Sequence, residues 1–354
     1  MALRSFKCTN FRCLESVSLE FEAANNLIYG ANASGKTSIL EGIAYLGRGR
    51  SFRGAATTEL IRHDAQEFVL TGVVDTGARK QRIGVRNGRE GMEVRVDGER
   101  SSSAAPLAEA IPLQIIEPDV HELIAGGPEN RRRYIDWIAF HVEHSYLDSW
   151  RRYRRSLKQR NAALKAGAGT ATLDSWDKEL AEHGLAVDSA RRRMLEITLP
   201  ALGETGRALL GTDVTGEYQQ GWSNSRDLLS ALRAGHDRDR QLGSTQAGPH
   251  RADLRLNFED HQARKLVSRG QEKLLGCALI LAATEVVQTA IEKPLLLLID
   301  DPAAELDAGS LARLMGQVGG LGCQVIATAL VPDAPLFGDR PRMFHVEHGL
   351  IEQA

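Results

Sequence analysis

Cysteine is scarce in this chain of 354 residues: there are four, and no two form a CxxC pair. Cys8, Cys13, Cys277 and Cys323 sit among apolar or strand-like neighbours, which argues against a disulfide framework or a thiolate metal site and for reduced, buried thiols. Net charge is nearly absent too. With 44 Lys and Arg against 46 Asp and Glu the formal sum is −2, which argues against a uniformly basic nucleic-acid binder while allowing a local patch. No run approaches the ~20 uninterrupted apolar residues of a membrane span, and arginine and lysine stand near the N-terminus where a signal peptide carries its apolar core. A cytoplasmic location without a membrane partner is therefore expected. No internal repeat or low-complexity segment is visible.

What the chain has begins with size. Its length favours two domains, on a prior of roughly 100–200 residues each. Residues 3–9 and 16–21 alternate apolar and polar positions and Leu27-Ile28-Tyr29 is a short apolar run, so strands are expected there. Ile39, Leu40, Ile43, Ala44 and Leu46 recur at helical spacing, which puts Lys36 in a helix's first turn. From residue 67 to 96 short β-type runs are divided by Asn87-Gly88 and followed by Asp97-Gly98, both hairpin signals because each tolerates positive φ. An antiparallel meander follows. From Gly126-Gly127-Pro128 to about Gly211 the texture is helical, broken by the small residues of Ala166-Gly167-Ala168-Gly169-Thr170, a loop between antiparallel helices. Strand texture returns after Gly248 and runs through 295–299 and 324–327, so the helical stretch reads as a lobe inserted into one α/β fold.

Gly30-Ala31-Asn32-Ala33-Ser34-Gly35-Lys36-Thr37 fits GxxxxGK[ST] at every fixed position, between the strand and the helix that the motif requires. Its glycines let backbone N–H groups converge on phosphates, the Lys36 ammonium neutralises β and γ oxygens, and the Thr37 hydroxyl can ligate Mg²⁺. The bland alternative is a glycine-rich helix start that binds nothing. The apolar run 294–299 ends in Asp300-Asp301, as a buried parallel strand does when it carries acids at its C-terminal end. Asp300 would hold Mg²⁺ through water and Asp301, crowded by a like charge, would polarise the attacking water. The alternative is an acidic turn capping the next helix, a role that suits Asp307, since Leu311, Leu314, Met315 and Val318 follow at helical spacing.

Ser268-Arg269-Gly270-Gln271-Glu272-Lys273 opens an apolar helix and has two readings. Ser268 and Gln271 have capping-box spacing, which needs no nucleotide. The same hydroxyl and N–H groups form an anion site that could take the γ-phosphate of ATP held by a second subunit.

Taken in order, the loop at Gly30, the Ser268 segment, and Asp300-Asp301 followed by Glu305-Leu306-Asp307 resemble the ABC ATPases. The wide gap before Ser268 resembles their SMC-like branch. More closely, the chain resembles the RecF family of bacterial recombination mediators nearly end to end, through Asn10-Phe11-Arg12, Ser51-Phe52-Arg53, Pro128-Glu129-Asn130-Arg131-Arg132-Arg133, Leu157-Lys158-Gln159-Arg160-Asn161 and Gly248-Pro249-His250-Arg251. The resemblance implies an α/β P-loop head with a mixed sheet and an antiparallel lobe, spanning 1–127 and 241–354, and an inserted helical arm at 128–240. It implies an ATP-dependent homodimer that clamps single- and double-stranded DNA at gaps and junctions, weak DNA-stimulated hydrolysis of ATP with Mg²⁺, and loading of RecA together with RecR and RecO. Carried over by motif, Gly30, Ala31, Asn32, Ala33, Ser34, Gly35, Lys36, Thr37 and Ser38 bind nucleotide, and Thr37 and Asp300 bind the metal. Asp301, with Lys36 and Asp300, serves catalysis, while Ser268, Gly270 and Gln271 meet the partner subunit's γ-phosphate.

There are departures. Asp301 stands where transporter-type ATPases usually carry glutamate, Ala303-Ala304 where the family more often places a serine before Glu305, and Thr328 where transporters keep a histidine. Glu117-Pro118-Asp119 lies where a glutamine is expected. A transporter motor subunit is the alternative from another class, but such a subunit has no need of a basic helical lobe before its signature.

Between Arg131 and Lys165 ten basic residues stand against three acidic ones. Placed on helices, Arg131, Arg132, Arg151, Arg154, Arg155, Lys158 and Arg160 are candidates for phosphate contacts, with Trp150 or Tyr153 against a sugar or base. The alternative is a solvated face whose arginine stems cover apolar surface. Arg191-Arg192-Arg193, between Asp188 and Glu196, reads as an ion-paired surface.

Overall fold

The computed structural model describes residues 1–259, 261–263, 267–332, 337 and 341–353, which form two compact units, Met1–Val120 with Glu292–Ala354, and His121–Ile291. In the first unit β1 (Ala2–Phe11) and β2 (Leu14–Glu20) pair antiparallel, with Phe6 opposite Leu19 and Cys8 opposite Val17, so the alternating pattern puts the apolar residues on one face. β3 (Asn25–Tyr29) leads to α1 (Lys36–Arg48), and α2 (Thr57–Leu60) is a single turn. β4 (Glu67–Asp75), β5 (Lys80–Gly88), β6 (Gly91–Val96) and β7 (Glu99–Ser101) are the expected meander, and the first hairpin joins it in a sheet ordered β2-β1-β4-β5-β6-β7.

Asp97 and Gly98, at φ of 50° and 89°, turn β6 into β7 as expected. Asn87-Gly88 does not make the preceding corner: both residues stay in the ladder opposite Met92 and Gly91, and Arg89-Glu90 turn the chain. The Asn87 side chain is buried and donates to the Tyr45 hydroxyl at 2.7 Å, a tertiary contact that outweighs the local turn signal.

α3 (Ala105–Ala110) and β8 (Leu113–Ile116) close this half of the head. The second unit contains α4 (Glu122–Ala125), α5 (Pro128–Val142), α6 (Tyr146–Lys165), α7 (Thr170–Leu210), β9 (Val214–Gln219), α8 (Leu228–Ala234), α9 (His236–Leu242), β10 (Asp253–Phe258), β11 (His261–Gln262) and α10 (Arg269–Ile291). α6 and α7 are the expected helical hairpin. Residues 121–127 and 241–291, read from sequence as head, lie in this unit because β10 pairs with β9 and α10 packs along α7. α10 is long and apolar enough to cross a membrane by length and composition, but most of its apolar residues, Leu274, Leu275, Ala278 and Leu279 among them, are buried.

The chain re-enters the first unit with β12 (Leu296–Ile299), α11 (Ala308–Gly320), β13 (Gln324–Ala329), β14 (Arg342–Glu347) and β15 (Leu350–Gln353). The second sheet is ordered β15-β14-β3-β13-β12-β8 and is parallel except for β15. Asp307 caps α11 as expected, accepting the Ser310 N–H at 2.9 Å. α1 packs against both sheets, with Ile39, Leu40 and Ile43 in one core with Phe6, Leu70 and Ile326. Each such side chain stabilises the fold by about 1.5–3 kcal/mol over exposure. Packing on two sides therefore fixes α1 and the loop that enters it.

Candidate functional site

The C-terminal ends of β3, β13 and β12 lie side by side, which brings loop 30–37, Thr328 and Asp300-Asp301 together. The loop needs its glycines. Gly30 has φ 154° and a Cβ there would lie 2.2 Å from the Val346 carbonyl, while Gly35 enters α1 at φ 113°. The Gly349 N–H donates to the Ser34 carbonyl at 2.9 Å and pins the loop from the β14–β15 turn. Ser34 is buried, and its hydroxyl has no hydrogen-bond partner among the described residues. An orphaned buried hydroxyl in a glycine-bounded loop at a helix start suits a phosphate oxygen. Lys36, also buried, donates from Nζ to the carbonyls of Gly30 and Ala31, both at 2.7 Å. Burial draws its pKa below the usual lysine range, and the charges of Asp301 and Asp300 oppose that. Ala31, Asn32 and Ala33 are exposed, and Ser38 accepts a weak S–H contact from Cys13 at 3.5 Å.

Asp300 is 4% exposed, and its Oδ1 accepts the hydroxyls of Thr37 at 3.1 Å and Thr328 at 2.7 Å. Burial raises its pKa; the two hydroxyls oppose that. A threonine hydroxyl against a carboxylate offers adjacent hard oxygen donors, a set that fits Mg²⁺. Asp301 is half-buried at φ 44°, a conformation rarely adopted by residues other than glycine, and its N–H donates to Thr328 Oγ1 at 2.9 Å. Thr328 thus joins both carboxylate residues. Glu117 follows β8, whose Ile116 is in register with Ile299, so it stands beside Asp300 at the strand ends. Burial pushes its carboxyl up to about 7; Arg48 opposes this and Asp119 and Asp300 add to it.

Ser268, Gly270 and Gln271 lie in the second unit at the start of α10. There the capping box is formed: the Ser268 N–H donates to Gln271 Oε1 at 2.8 Å and the Gln271 N–H to Ser268 Oγ at 3.4 Å.

The basic arm divides into two groups. Arg151, Arg154, Arg155 and Lys158 are exposed and share one stripe of α6 at i, i+3, i+4 and i+7, with Arg154 lying over the Trp150 ring at 5.2 Å. Arg160 and Arg131, expected as phosphate contacts, do not belong to that surface because both are buried in ion pairs. Arg160 is 0% exposed, donating to Asp177 at 2.6 Å, Asp239 at 2.7 Å and Thr245 at 2.8 Å. Arg131 is 6% exposed, forked onto Asp253 at 2.8 and 3.2 Å. Arg132 is half-buried and donates to the Ala252 carbonyl at 2.8 Å. Tyr153 is buried with its hydroxyl 2.6 Å from His250 Nδ1, which removes it as a base-stacking ring. Of the arginine triplet, the exposed Arg193 pairs with Glu143 and the exposed Arg192 with the buried Asp188, while Arg191 is itself buried against Asp136.

A mixed parallel sheet, a GxxxxGKT loop between β3 and α1, and a strand-end carboxylate bonded to the loop's threonine define an ATP-binding head of the ABC-ATPase kind. The chain belongs to the RecF/RecN/SMC N-terminal-domain family, whose model matches residues 2–348. It is similar to the DNA replication and repair protein RecF of Pseudomonas aeruginosa (strain LESB58), at 39% identity over 361 residues covering 100% of this chain and 98% of that one. RecF of Shewanella amazonensis (strain ATCC BAA-1098 / SB2B) is 39% identical over 360 residues, covering 100% and 99%. A solved structure of the recombination mediator protein RecF with ATP, in the RecFOR pathway, superposes with a TM-score of 0.91 at 27% identity, covering 100% of this chain and 97% of that one. ATP binding, ATPase activity and a role in DNA replication and repair follow, and the transporter alternative is not favoured.

Proposed function

We propose that this chain is a weak, DNA-stimulated ATPase of recombinational repair, in which ATP times the pairing of two copies around DNA at single-strand gaps and junctions. The observation that carries the DNA reading is the exposed stripe of Arg151, Arg154, Arg155 and Lys158 on α6. Its charges are spaced to follow a phosphate backbone and carry no base-reading pattern, so binding is without sequence preference.

In this reading the loop N–H groups and Lys36 hold the triphosphate, and Thr37 and Asp300 would hold Mg²⁺, which when bound neutralises phosphate charge. Asp301 orients the attacking water. Its side chain is one methylene shorter than the glutamate usual in transporter-type ATPases, which fits slow turnover as a reset. Ser268, Gly270 and Gln271 accept the γ-phosphate from the partner subunit's nucleotide once the capping box exchanges its internal bonds for the anion. RecR, with RecO and RecA, are the protein partners, and the compartment is the cytoplasm.

Sedimentation velocity with and without ATP and a gapped DNA tests the whole. A monomer that becomes a DNA-bound dimer only with ATP supports the reading. Sedimentation that ignores ATP, or a dimer that leaves DNA behind, overturns it.

A further inference from the structure

The six-stranded antiparallel sheet has one face in the core and one open. Its inner face carries Phe6, Leu70, Ile83, Val85 and Val94 into the apolar cluster around α1. On the outer face a row of residues in register runs through Lys7 on β1, Thr71 on β4, Gly84 on β5, Arg95 on β6 and Arg100 on β7. The next row carries Thr9, Val69, Arg86 and Glu93. Side chains on neighbouring strands stand close enough to share a ligand. Across these rows lies a depression of about 220 Å³, with Val69, Thr71, Gly84, Arg86, Glu93 and Arg95 in its lining.

Gly84 sets the floor, and the fold does not require it. It lies mid-strand without a positive φ, and the ladder runs through it on both sides without a bulge. A Cβ there would meet Thr71 Cγ2 at 3.4 Å and the Leu70 carbonyl at 3.6 Å, which are ordinary contacts. Gly72, facing inward on β4, differs: its Cβ would lie 2.8 Å from Leu46 Cδ2. Packing explains Gly72 and leaves Gly84 unexplained. Glycine inside a strand costs stability, and where neither backbone nor packing demands it, it marks a place where another molecule approaches closely.

The rim is more cationic than the sheet neutralises. Glu93 Oε1 serves two guanidiniums, Arg95 Nε at 2.6 Å and Arg100 Nε at 3.3 Å. Arg86, Arg95 and Arg100 keep 47%, 50% and 72% of their side-chain surface in solvent, so each can take a further partner. Lys7 and Arg82, exposed on the same face, are in no ion pair among the described residues. The rim therefore attracts carboxylates or phosphates. The floor, made by Val69 and the bare backbone of Gly84, takes one large apolar side chain. A nucleic-acid backbone supplies the charge and nothing for the floor, whereas an acidic peptide with an apolar residue supplies both.

We propose that this sheet face docks a protein partner through an acidic segment, with one large apolar side chain seated over Gly84 and flanking carboxylates on Arg86, Arg95 and Arg100. Neither the nucleotide site nor the α6 stripe uses these residues. The depression selects by size, and the arginines orient the segment and speed its association.

The test uses the full chain and dye-labelled synthetic peptides, read by fluorescence anisotropy. Aspartates and glutamates flank one central residue, which is leucine, phenylalanine, tryptophan or, as the control, serine. At least one apolar peptide should bind saturably and about tenfold more tightly than the serine peptide. Gly84→Val fills the depression and should weaken that binding about tenfold while thermal stability is kept or raised. Arg95→Ala with Arg100→Ala tests the rim independently; it should weaken binding about tenfold and flatten its salt dependence. Apolar peptides that bind no better than the serine control, or either variant binding as the wild type does, overturn the proposal. A labelled DNA duplex is titrated alongside. If the duplex loses affinity in both variants and the peptides do not, the face belongs to DNA and the proposal fails.

Discussion

The Thr328 hydroxyl donates to Asp300 Oδ1 at 2.7 Å while accepting the Asp301 N–H at 2.9 Å, so one small side chain on β13 sets both acids of β12. Thr328→Val keeps the shape and removes the donor. Loss of a hydrogen bond to a buried charge should cost about 1–3 kcal/mol in urea unfolding. It should also raise the pKa of Asp300 further, shifting the acid limb of ATP hydrolysis to higher pH. Thr328→Ser should restore both; an unshifted limb in Thr328→Val would separate this residue from the site's chemistry.

Glu117 gives a pH signature of its own. Its pKa is raised from 4.5 to about 7 by burial, so between those values the folded chain binds more protons than the unfolded one. Stability from this group is therefore lost as pH rises through that window. Glu117→Gln should abolish the decline, gaining about 1–2 kcal/mol over the wild type at pH ~8 and little at pH ~4, after discounting for partial exposure. Chemical denaturation across pH, without nucleotide, reads the difference.

The opposite sign holds in the arm. His250 Nε2 faces the Thr245 carbonyl at 3.0 Å and must donate there, so Nδ1 accepts the Tyr153 hydroxyl at 2.6 Å and the ring is neutral. Burial lowers its pKa from 6.5 to about 4, so the unfolded chain takes the proton first and stability falls as pH drops through that window. Tyr153→Phe removes a donor that favours the neutral ring. It should raise the His250 titration midpoint, followed by NMR, at a cost of about 0.5–1.5 kcal/mol at neutral pH.

The two groups of arm residues separate stability from binding. Arg160→Met leaves Asp177 and Asp239 short of a buried partner and should cost about 3–5 kcal/mol. Arg154→Ala with Lys158→Ala should change stability by less than about 0.5 kcal/mol, yet reduce the log–log salt slope of duplex binding by roughly 0.9 per residue. A salt response that stays the same in that double variant removes the α6 stripe from the DNA interface.

The phosphate loop, the apolar strand ending in Asp300 and the Asp307 cap were legible because each is a dense local pattern. The position of Thr328 was legible from the resemblance, but its bonds to both acids were not, since they depend on contacts between strand ends that only the fold assembles. The burial of two arginines is written in their helical phase. Arg160 stands at i+7 from Tyr153 and i−4 from Leu164, both buried, and Arg131 stands at i−4 and i−7 from Ile135 and Ile138. Helical phase alone thus separated the inward arginines from the outward stripe. Asn87-Gly88 misled in the other direction, because a buried bond to Tyr45 holds Asn87 in its strand.

The central claim is that triphosphate is gripped between the loop at Lys36 and the carboxylate at Asp300. Calorimetric titration of ATP with magnesium into the wild type and Lys36→Ala tests it most directly. Saturable one-site binding by the wild type, lost in Lys36→Ala at unchanged thermal stability, is the predicted result; equal affinity in the two proteins would contradict the account.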